Sequence, residues 1–555
     1  MQRWIFRLAC ALALATGAPL ALAATKGGMT LEQVAQTRAV TQAQVSPDGS
    51  EVAYLLSVPR TLGVDPDGPA RSELHLVDRS GNSRGFITGK VDVAAPRWLP
   101  DGQRVAYLSK REGDETRGLY TIPLRGGEST RVARLATDIA SYDLSPDGRR
   151  AALLAPQRES DARKALREKG FSQKVYEEDW RPVELWIAEL GSEAAPRRVE
   201  IEGSVQSVRW SPAGDRLAGI VTPRQLTDDT MVEARVRIYS VEGRELGRVD
   251  NPGKLGDLAW STDGAHLAVI SAADRNDPSD GRLTVVGRDG GTQRDLLPGL
   301  EGHVRAVAWR DASTLVFVSH EGVQSRLAQI QADGSDQRTL LEAGGPVHMG
   351  LSVSPRGDIA LVGSDPTHPS EVFLLASGSA EPRRLTDSNP WLADVRLARQ
   401  EVVRYTARDG LELEGLLVHP LERRGKARVP LILVVHGGPE SHFSNAWLNG
   451  YSQPAQVAAA QGFASFFPNY RSSTGRGVAF SKLGHGRPGM EEFDDVVDGV
   501  DHLVETGLVD RDKVGITGGS YGGYASAWGA TYYSERFAAS VMFVGISDQA
   551  SLVTT

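Results

Sequence analysis

The sequence predicts an all-β, seven-bladed propeller followed by an α/β domain. Two observations predict this order: a turn motif that recurs with short strands through the first two thirds of the 555 residues, and a change after about Asn389 to strands that alternate with helices. We therefore expect a propeller at residues 24–388 and an α/β domain at residues 389–555. The 60 glycines and 29 prolines agree with the many turns of a β-rich chain.

A turn of the type Ser-Pro-Asp-Gly recurs in the first region. Proline presets φ for a turn, aspartate bonds its own backbone, and glycine accepts the left-handed conformation. Each turn precedes a short apolar strand, such as Val105–Leu108 or Leu267–Ile270. The turns start at Ser46, Leu99, Ser145, Ser211, Ser261 and Ser354, and a degenerate copy starts at Arg310.

The spacing of these turns predicts the number of blades. Starts about 50 residues apart are typical of four-stranded propeller blades. A longer gap before the fourth turn indicates an insertion around residues 159–180. One such turn alone would indicate an ordinary hairpin, but seven in register favour a propeller. Tryptophans that precede four of the turns are expected to pack between neighbouring sheets: Trp98, Trp210, Trp260 and Trp309.

The second region has the pattern of an α/β domain. Asp409-Gly410 is a strong two-residue turn signal, and continuous apolar runs are typical of strands buried on both faces. Apolar residues at helical spacing from Phe493 to Val504 predict an amphipathic helix, with Asp494, Asp495, Asp498 and Asp501 elsewhere on its surface. The predicted strands are Val402–Ala407 and Leu411–Val418, which form a hairpin, then Leu431–Val435, Val514–Thr517 and Ala539–Val544.

Residues 1–23 are predicted to be an export signal. Arg3 and Arg7 give a positive start, residues 8–22 are mostly Leu and Ala, and Ala21-Leu22-Ala23 fits the cleavage rule. The alternative is a membrane anchor, but the apolar run is shorter than the roughly 20 residues a spanning helix needs. We expect a mature chain that begins near Ala24 and is periplasmic or secreted.

Composition excludes several classes of function. The only cysteine, Cys10, lies within the predicted signal, so the mature protein should have no disulfide, thiol nucleophile or thiolate metal site. The formal net charge of −8 becomes more negative when Arg3 and Arg7 leave with the signal. An acidic chain without basic clusters argues against binding nucleic acid, and against a membrane surface once the signal is cleaved.

A candidate nucleophile lies between the last two predicted strands. Gly518-Gly519-Ser520-Tyr521-Gly522-Gly523 matches the G-x-S-x-G elbow, in which a serine on a tight turn from strand to helix projects its hydroxyl into a cleft. Chance occurrence in a glycine-rich chain is the alternative, but the strand–turn–helix context favours the elbow. We predict Ser520 as the nucleophile and the Tyr521 backbone N–H, at a helix N-terminus, as an oxyanion-hole donor.

A second glycine motif supports the elbow. His436-Gly437-Gly438-Pro439 follows the strand that ends at Val435. Its glycines can bring a backbone N–H, that of Gly438 by our prediction, into the oxyanion hole opposite Tyr521. A plain Gly-Pro turn is the alternative reading of this motif. We expect His436 to shape the loop rather than to act as the general base.

These motifs, together with Pro468-Asn469-Tyr470-Arg471-Ser472-Ser473-Thr474-Gly475, resemble the prolyl oligopeptidase family, and most closely its acylaminoacyl-peptidase and dipeptidyl-peptidase-like branch. The resemblance implies a propeller joined to an α/β-hydrolase domain, cleavage of short peptides, and no cofactor. It is loose through the propeller and close from about Thr386 onward. Ser472, where the family usually has Gly, and Arg476, where an aromatic is usual, depart from the pattern.

The triad is expected to be incomplete. In the α/β-hydrolase order, the acid and the histidine follow the serine. Residues 521–555 contain no histidine, and Asp548 is better explained as a loop or cap residue. His442, His485 and His502 precede the serine, and surface roles are expected for the last two. We expect the triad Asp and His to be absent from a C-terminally truncated chain that is nearly inactive and exposes a sheet edge.

The insertion offers a further candidate. It contains Glu177 and Glu178 between Tyr176 and Trp180, and carboxylates that project from a propeller could bind the free amino terminus of a substrate. A charged, solvated loop is the alternative.

Three functions remain open at this stage. The first is a serine exo- or oligopeptidase, the second a non-catalytic propeller binding protein with a vestigial hydrolase domain, and the third an esterase. Acyl-transfer machinery does not by itself distinguish an amide from an ester substrate.

Overall fold

We describe the protein from a computed structural model, which covers residues 26–450 and 452–554. The predicted signal at residues 1–23 and Cys10 lie outside the described residues.

Residues 39–384 form five sheets of four strands and one sheet of eight, each built from antiparallel meanders. The first three sheets are β1 (Ala39–Val45), β2 (Glu51–Val58), β3 (Arg71–Asp78) and β4 (Ser83–Ile87); β5 (Ala94–Trp98), β6 (Arg104–Ser109), β7 (Gly118–Pro123) and β8 (Thr130–Ala133); and β9 (Ser141–Leu144), β10 (Arg150–Pro156), β11 (Val183–Glu189) and β12 (Arg197–Val199).

The eight-stranded sheet follows, and two four-stranded sheets complete the region. The eight strands are β13 (Ser204–Trp210), β14 (Arg216–Thr222), β15 (Arg235–Ser240), β16 (Glu245–Val249), β17 (Leu255–Trp260), β18 (His266–Ser271), β19 (Arg282–Gly287) and β20 (Gly290–Asp295). The last two sheets are β21 (His303–Trp309), β22 (Thr314–Glu321), β23 (Gln324–Gln331) and β24 (Arg338–Leu341), and β25 (Val347–Val353), β26 (Ile359–Asp365), β27 (His368–Leu375) and β28 (Arg383–Arg384).

The sheets close into a propeller because each one buries apolar side chains against the next. First strands of neighbouring sheets contact one another, which places them on the inside of the ring. The first and last sheets also share a core cluster that contains Val40, Tyr54, Val362 and Val372. The helix α1 (Leu31–Gln36) precedes β1. The propeller region itself contains α2 (Asp161–Glu168), in the insertion, and a π-helical turn at Asp229–Glu233.

The turn chemistry that the sequence predicts is present. Each Ser-Pro-Asp-Gly turn joins the first and second strands of its meander, and the glycine has a positive φ, for example 71° at Gly49. Three of the predicted tryptophans donate a hydrogen bond from Nε1 to the first strand of the preceding meander: Trp98 to the Gln44 carbonyl, Trp260 to that of Arg209 and Trp309 to that of Ala259. Packing of these tryptophans between neighbouring sheets is therefore confirmed.

The second region is a mixed sheet covered by helices. Its six main strands lie in the order β29-β30-β34-β31-β35-β36, and the last four are parallel to one another. The elements are a 3₁₀ turn at Pro390–Asp394, β29 (Gln400–Thr406), β30 (Glu412–Val418), β31 (Val429–Val435), the short β32 (Asn449–Gly450) and β33 (Gln453–Pro454), α3 (Ala455–Ala460), β34 (Ala464–Asn469), α4 (Gly477–Ser481), α5 (Glu491–Glu505), β35 (Val509–Gly519), α6 (Tyr521–Thr531), β36 (Ala539–Phe543) and α7 (Gln549–Thr554).

These elements confirm the predicted hairpin, central strand, helix and two further strands, with one correction. Asp495 does not lie on an exposed face of α5: its side chain is fully buried and paired with Arg471, with Nη2 at 2.6 Å from Oδ1. Burial raises the pKa of Asp495 to about 6 against the lowering effect of Arg471. Partners such as Arg471 allow a polar side chain to occupy a position that spacing alone assigns to the surface.

Hydrogen bonds join the N-terminal segment of the described chain to the start of the second region. The Asn389 side chain accepts a hydrogen bond from Arg38 N and donates one to Arg38 O, which ties the segment before β29 to the segment before β1. Residues 27 and 28, which the predicted boundary assigns to the propeller, lie against the second region: Arg396 N donates to Gly27 O at 2.8 Å.

Candidate active site

Ser520 lies on the bend between β35 and α6. Its φ of 56° and ψ of −117° are conformations that residues other than glycine rarely adopt. Its side chain is exposed, and its backbone N–H donates to Phe543 O at 3.2 Å. The bend therefore holds the serine hydroxyl out of the core.

Two glycines make this bend possible. A Cβ at Gly518 would lie 2.2 Å from the Val435 carbonyl oxygen, and one at Gly522 would lie 2.0 Å from the same atom. Both distances are well inside van der Waals contact, so only glycine fits two residues before and two residues after Ser520.

The His436–Pro439 loop lies against the elbow, because β31 and β35 are parallel neighbours with Val435 paired to Gly518. A Cβ built on Gly437 would lie 3.2 Å from Ser520 Cβ and 3.7 Å from Tyr521 N. Gly438, the predicted second donor, is the next residue. Tyr521 is the first residue of α6, so its N–H has no partner within the helix. The geometry thus places the two predicted donor loops side by side.

His436 is held inside its loop. Its Nε2 lies 2.8 Å from Ser473 Oγ and its Nδ1 lies 2.9 Å from Gly437 O, while Tyr470 stacks on the ring at a centroid distance of 4.3 Å. Burial lowers the pKa of His436 to about 4. The imidazole is therefore neutral at neutral pH and engaged away from Ser520.

A buried carboxyl group that sequence reasoning missed fixes the Tyr521 side chain. Glu492 of α5 is almost fully buried and accepts a hydrogen bond from the Tyr521 hydroxyl. Gly489 N donates to the same hydroxyl oxygen at 3.0 Å. Burial raises the pKa of Glu492. No local motif marks Glu492, because its partner is 29 residues further along the chain.

The two departures from the family pattern are accommodated locally. Ser472 has a φ of 76°, the left-handed conformation that glycine adopts most easily, and its Oγ accepts a hydrogen bond from Gly484 N at 2.8 Å. Arg476 stacks on Phe480, with Cζ 4.1 Å from the ring centroid, and donates to Glu412 O at 2.7 Å.

A cavity of about 390 Å³ lies between the propeller and the α/β domain. Met231, Arg305, His320 and Met349 line it from the propeller, and the loop that follows the glycine motif lines it from the other side. A smaller cavity of about 230 Å³, which contains Gly437 and Gly519, shares Ser441 and His442 with the larger one. The cavity beside the elbow therefore adjoins the cavity between the domains.

A histidine pair bridges the two regions at this cavity. His320 Nδ1 of β22 lies 3.1 Å from His442 Nε2, and His442 Nδ1 lies 2.7 Å from Thr474 Oγ1. Burial lowers the pKa of His320 to about 4 and that of His442 well below its usual value. Both rings are therefore neutral at neutral pH. A Lys254–Glu440 ion pair also crosses the interface.

The remaining candidates lie apart from the nucleophile. Within residues 26–450 and 452–554, no hydrogen bond joins Ser520 Oγ to a histidine. His485 is exposed, and His502 packs on the Tyr405 ring. Asp548 caps α7, accepting backbone hydrogen bonds from the helix's first turn.

Glu177 and Glu178 are exposed and do not line the cavity. Glu177 Oε1 lies 3.7 Å from Arg224 Nη1, and the neighbouring Tyr176 hydroxyl accepts a hydrogen bond from Thr227 N at 3.1 Å. Their predicted role in binding an amino terminus stays a prediction.

The described residues offer neither a cluster of metal ligands nor a membrane-spanning helix. Among the described residues, no group of three or more His, Cys, Asp or Glu side chains is arranged to hold a metal ion. None of the helices that the structure describes has the length and apolar character needed to cross a membrane.

Comparisons with known proteins agree with this geometry. Residues 449–555 match the prolyl oligopeptidase family. The chain is 26% identical over 558 residues to the uncharacterised peptidase YuxL of Bacillus subtilis, covering 94% of this chain and 82% of the relative. It is 25% identical over 540 residues to dipeptidyl aminopeptidase BIII of Pseudoxanthomonas mexicana, covering 92% of this chain and 71% of the relative.

Among solved structures, the acylaminoacyl peptidase of Pyrococcus horikoshii superposes with a TM-score of 0.76 at 20% identity, covering 93% of this chain and 78% of that one. At this identity the likeness concerns the fold alone.

The fold and the elbow define the class of protein: a β-propeller followed by an α/β-hydrolase domain. The sequence match narrows this class. Residues 449–555 match the prolyl oligopeptidase family model, and by its resemblance to these peptidases the chain is a serine-type peptidase.

Proposed function

We propose that the protein hydrolyses short peptides in the cavity between a seven-bladed propeller and the hydrolase domain, as a serine exo- or oligopeptidase. In this proposal the eight-stranded sheet is two blades, whose outer strands β16 and β20 touch through only two residue pairs. The predicted export signal makes the protein periplasmic or secreted.

The observation that carries the proposal is the position of Ser520. Its hydroxyl is exposed on a strained bend beside the glycine loop, next to Gly519, which lines a small cavity of the α/β domain. In acyl transfer, the serine oxygen forms a bond to the peptide carbonyl carbon, and the negative charge that develops on the carbonyl oxygen needs fixed N–H donors. Tyr521 N and Gly438 N are the proposed donors.

The size of the cavity supports short substrates. A volume of about 390 Å³ holds a few residues of extended peptide, and the closed ring covers it on the propeller side. The His320–His442 contact and the Lys254–Glu440 ion pair join the two domains at this cavity, which a folded protein would have to separate in order to enter it.

In this proposal Ser520 is the nucleophile and the backbone N–H groups of Tyr521 and Gly438 are the oxyanion donors, but no histidine of the described residues is hydrogen-bonded to Ser520. A serine hydroxyl without a base is a weak nucleophile, so we expect residues 1–555 to hydrolyse peptides slowly. An oxyanion hole alone retains about 10³- to 10⁴-fold catalysis over water in comparable sites.

A peptidyl boronic acid tests the site without needing a general base. Boron accepts a bond from the serine oxygen and forms a tetrahedral adduct, in which a boron-bound oxygen takes the position of the oxyanion. We expect calorimetry to show at least about tenfold weaker binding to Ser520→Ala than to the unchanged protein, because the adduct cannot form. Ser534→Ala, which changes an exposed serine beyond α6, is the matched control and should bind normally. Equal affinity for Ser520→Ala would contradict the proposal.

A further inference from the structure

The innermost strands of the propeller share an irregularity. The pairing of β1, β5, β13, β17, β21 and β25 with the next strand shifts register near the start of each strand. A β-bulge of this kind leaves an extra residue out of the ladder and turns its side chain in a new direction. Because these strands lie on the inside of the ring, the bulges direct side chains away from the packed sheets.

Arg305 is the extra residue of β21. Val304 pairs with Ser319 and Ala306 with Val318, so Arg305 has no partner across the ladder. Its side chain is exposed and lines the cavity between the domains. Met349, the extra residue of β25, lines the same cavity.

Arg305 is the cation of this cavity that has no counter-ion. Lys254 is paired with Glu440, and His303 Nε2 lies 3.5 Å from Asp280. Across the described residues, no ion pair or hydrogen bond involves the Arg305 guanidinium. Arg305 lines this cavity together with His320 and His442, and its charge, after the larger effect of burial, contributes to the lowered pKa of both rings.

The cavity that Arg305 lines adjoins the smaller cavity beside the elbow. Ser441 and His442 line both this cavity and the smaller one that contains Gly437 and Gly519. A peptide with its scissile bond at Ser520 would therefore extend toward Arg305.

We propose that Arg305 binds a carboxylate of the peptide substrate and selects for substrates that carry one. The inference rests on the proposed function and names its substrate class. A guanidinium presents its N–H donors in a planar fork that matches a carboxylate, and a partly enclosed site strengthens this pair relative to water. The carboxylate can be the C-terminus of the peptide or an acidic side chain.

Three peptides distinguish these sources of the carboxylate. All are short, N-acetylated and otherwise neutral: one has a free C-terminus, one has a C-terminal amide, and one has a C-terminal amide and a glutamate side chain. Calorimetry measures their binding to the full chain, to Arg305→Gln and to Arg125→Gln, a control that changes an exposed arginine of another sheet.

We expect at least one carboxylate peptide to bind the unchanged protein about tenfold more tightly than the neutral amide. Arg305→Gln should abolish this preference while leaving the affinity for the neutral amide unchanged, and Arg125→Gln should keep it. A preference that survives in Arg305→Gln, or no preference in the unchanged protein, overturns the inference while the proposed function stands. Absence of binding by all three peptides and by the boronic acid contradicts both.

Discussion

The propeller and the hydrolase sheet both bury apolar strands, but they differ in whether their outermost elements are covered by a neighbour. Every propeller sheet packs between two neighbours, and the first packs on the last. In the hydrolase sheet, within the described residues, β36 pairs with β35 alone. Val541 and Val544, in and directly after β36, are 62% and 72% exposed. An apolar cavity of about 630 Å³ lies beside β36 and β35. An unpaired edge of this kind is a site for association with other chains.

This contrast bears on the nucleophile, because Ser520 lies between the two sides of the hydrolase sheet. On one side, Gly518 and Gly522 pack against the Val435 carbonyl of the largely buried strand β31. On the other, the Ser520 N–H bonds Phe543 O of the exposed strand β36. The bend therefore depends on one well-packed contact and one contact at an open edge.

The largest expected effect comes from the well-packed side. Gly522→Ala places a Cβ 2.0 Å from the Val435 carbonyl oxygen, so β31 and α6 must separate. We expect the free energy of unfolding of the hydrolase domain to fall by about 3 kcal/mol. Hydrogen exchange measured by mass spectrometry should show faster exchange in β31 and β35 and unchanged exchange in β1–β28.

Gly515→Ala is the matched control for this change. Gly515 lies in β35, the strand that leads into the elbow, and an added Cβ there would be 3.7 Å or more from its nearest neighbours. We expect the free energy of unfolding of Gly515→Ala to stay within about 0.5 kcal/mol of that of the unchanged protein. Faster exchange throughout the propeller in Gly522→Ala would contradict the separation of the two regions.

An effect of about 2 kcal/mol is expected at the interface that joins the regions. The buried His320 has a pKa of about 4, whereas an unfolded histidine titrates near 6.5. As the pH falls from about 6.5 toward 4, the unfolded chain binds a proton that folded His320 does not, so stability is lost in this window. His303, Arg305, His348 and His442 surround the ring, and none of them supplies a negative charge.

Urea unfolding at pH 7.5 and pH 4.5 checks this prediction. His320→Gln should lose less stability between the two pH values than the unchanged protein. The pKa of Asp495, raised to about 6, acts in the opposite direction, but it is present in both proteins and cancels in the difference. Identical pH dependence in the two proteins would show that His320 does not resist protonation.

The smallest effect on stability is expected at the open edge. Val541→Ser should change the free energy of unfolding by no more than about 0.5 kcal/mol, because the side chain is already in water. It should nevertheless reduce self-association, which analytical ultracentrifugation measures. A loss of several kcal/mol would show that β36 is covered after all.

The sequence predicts what local chemistry determines. The Ser-Pro-Asp-Gly turns and their tryptophans predicted the propeller, because each turn depends on its own few residues. The elbow at Ser520 was predictable for the same reason, since its glycines are two residues away.

Contacts between distant segments were not predictable. Asp495 was expected on the surface, since nothing in α5 reveals that Arg471 meets it in the core. Glu492 has its partner on α6, and Arg305 is singled out by a register shift and by a cavity formed with the other domain. These three features depend on the assembled fold.

A crystal structure with a peptidyl boronic acid would show directly whether Ser520 is the nucleophile. We expect a bond between boron and Ser520 Oγ, a boron-bound oxygen within hydrogen-bond distance of Tyr521 N and of the His436–Pro439 loop, and a peptide that extends toward the cavity between the domains. An inhibitor bound elsewhere, or an adduct whose oxygen faces solvent, would contradict it.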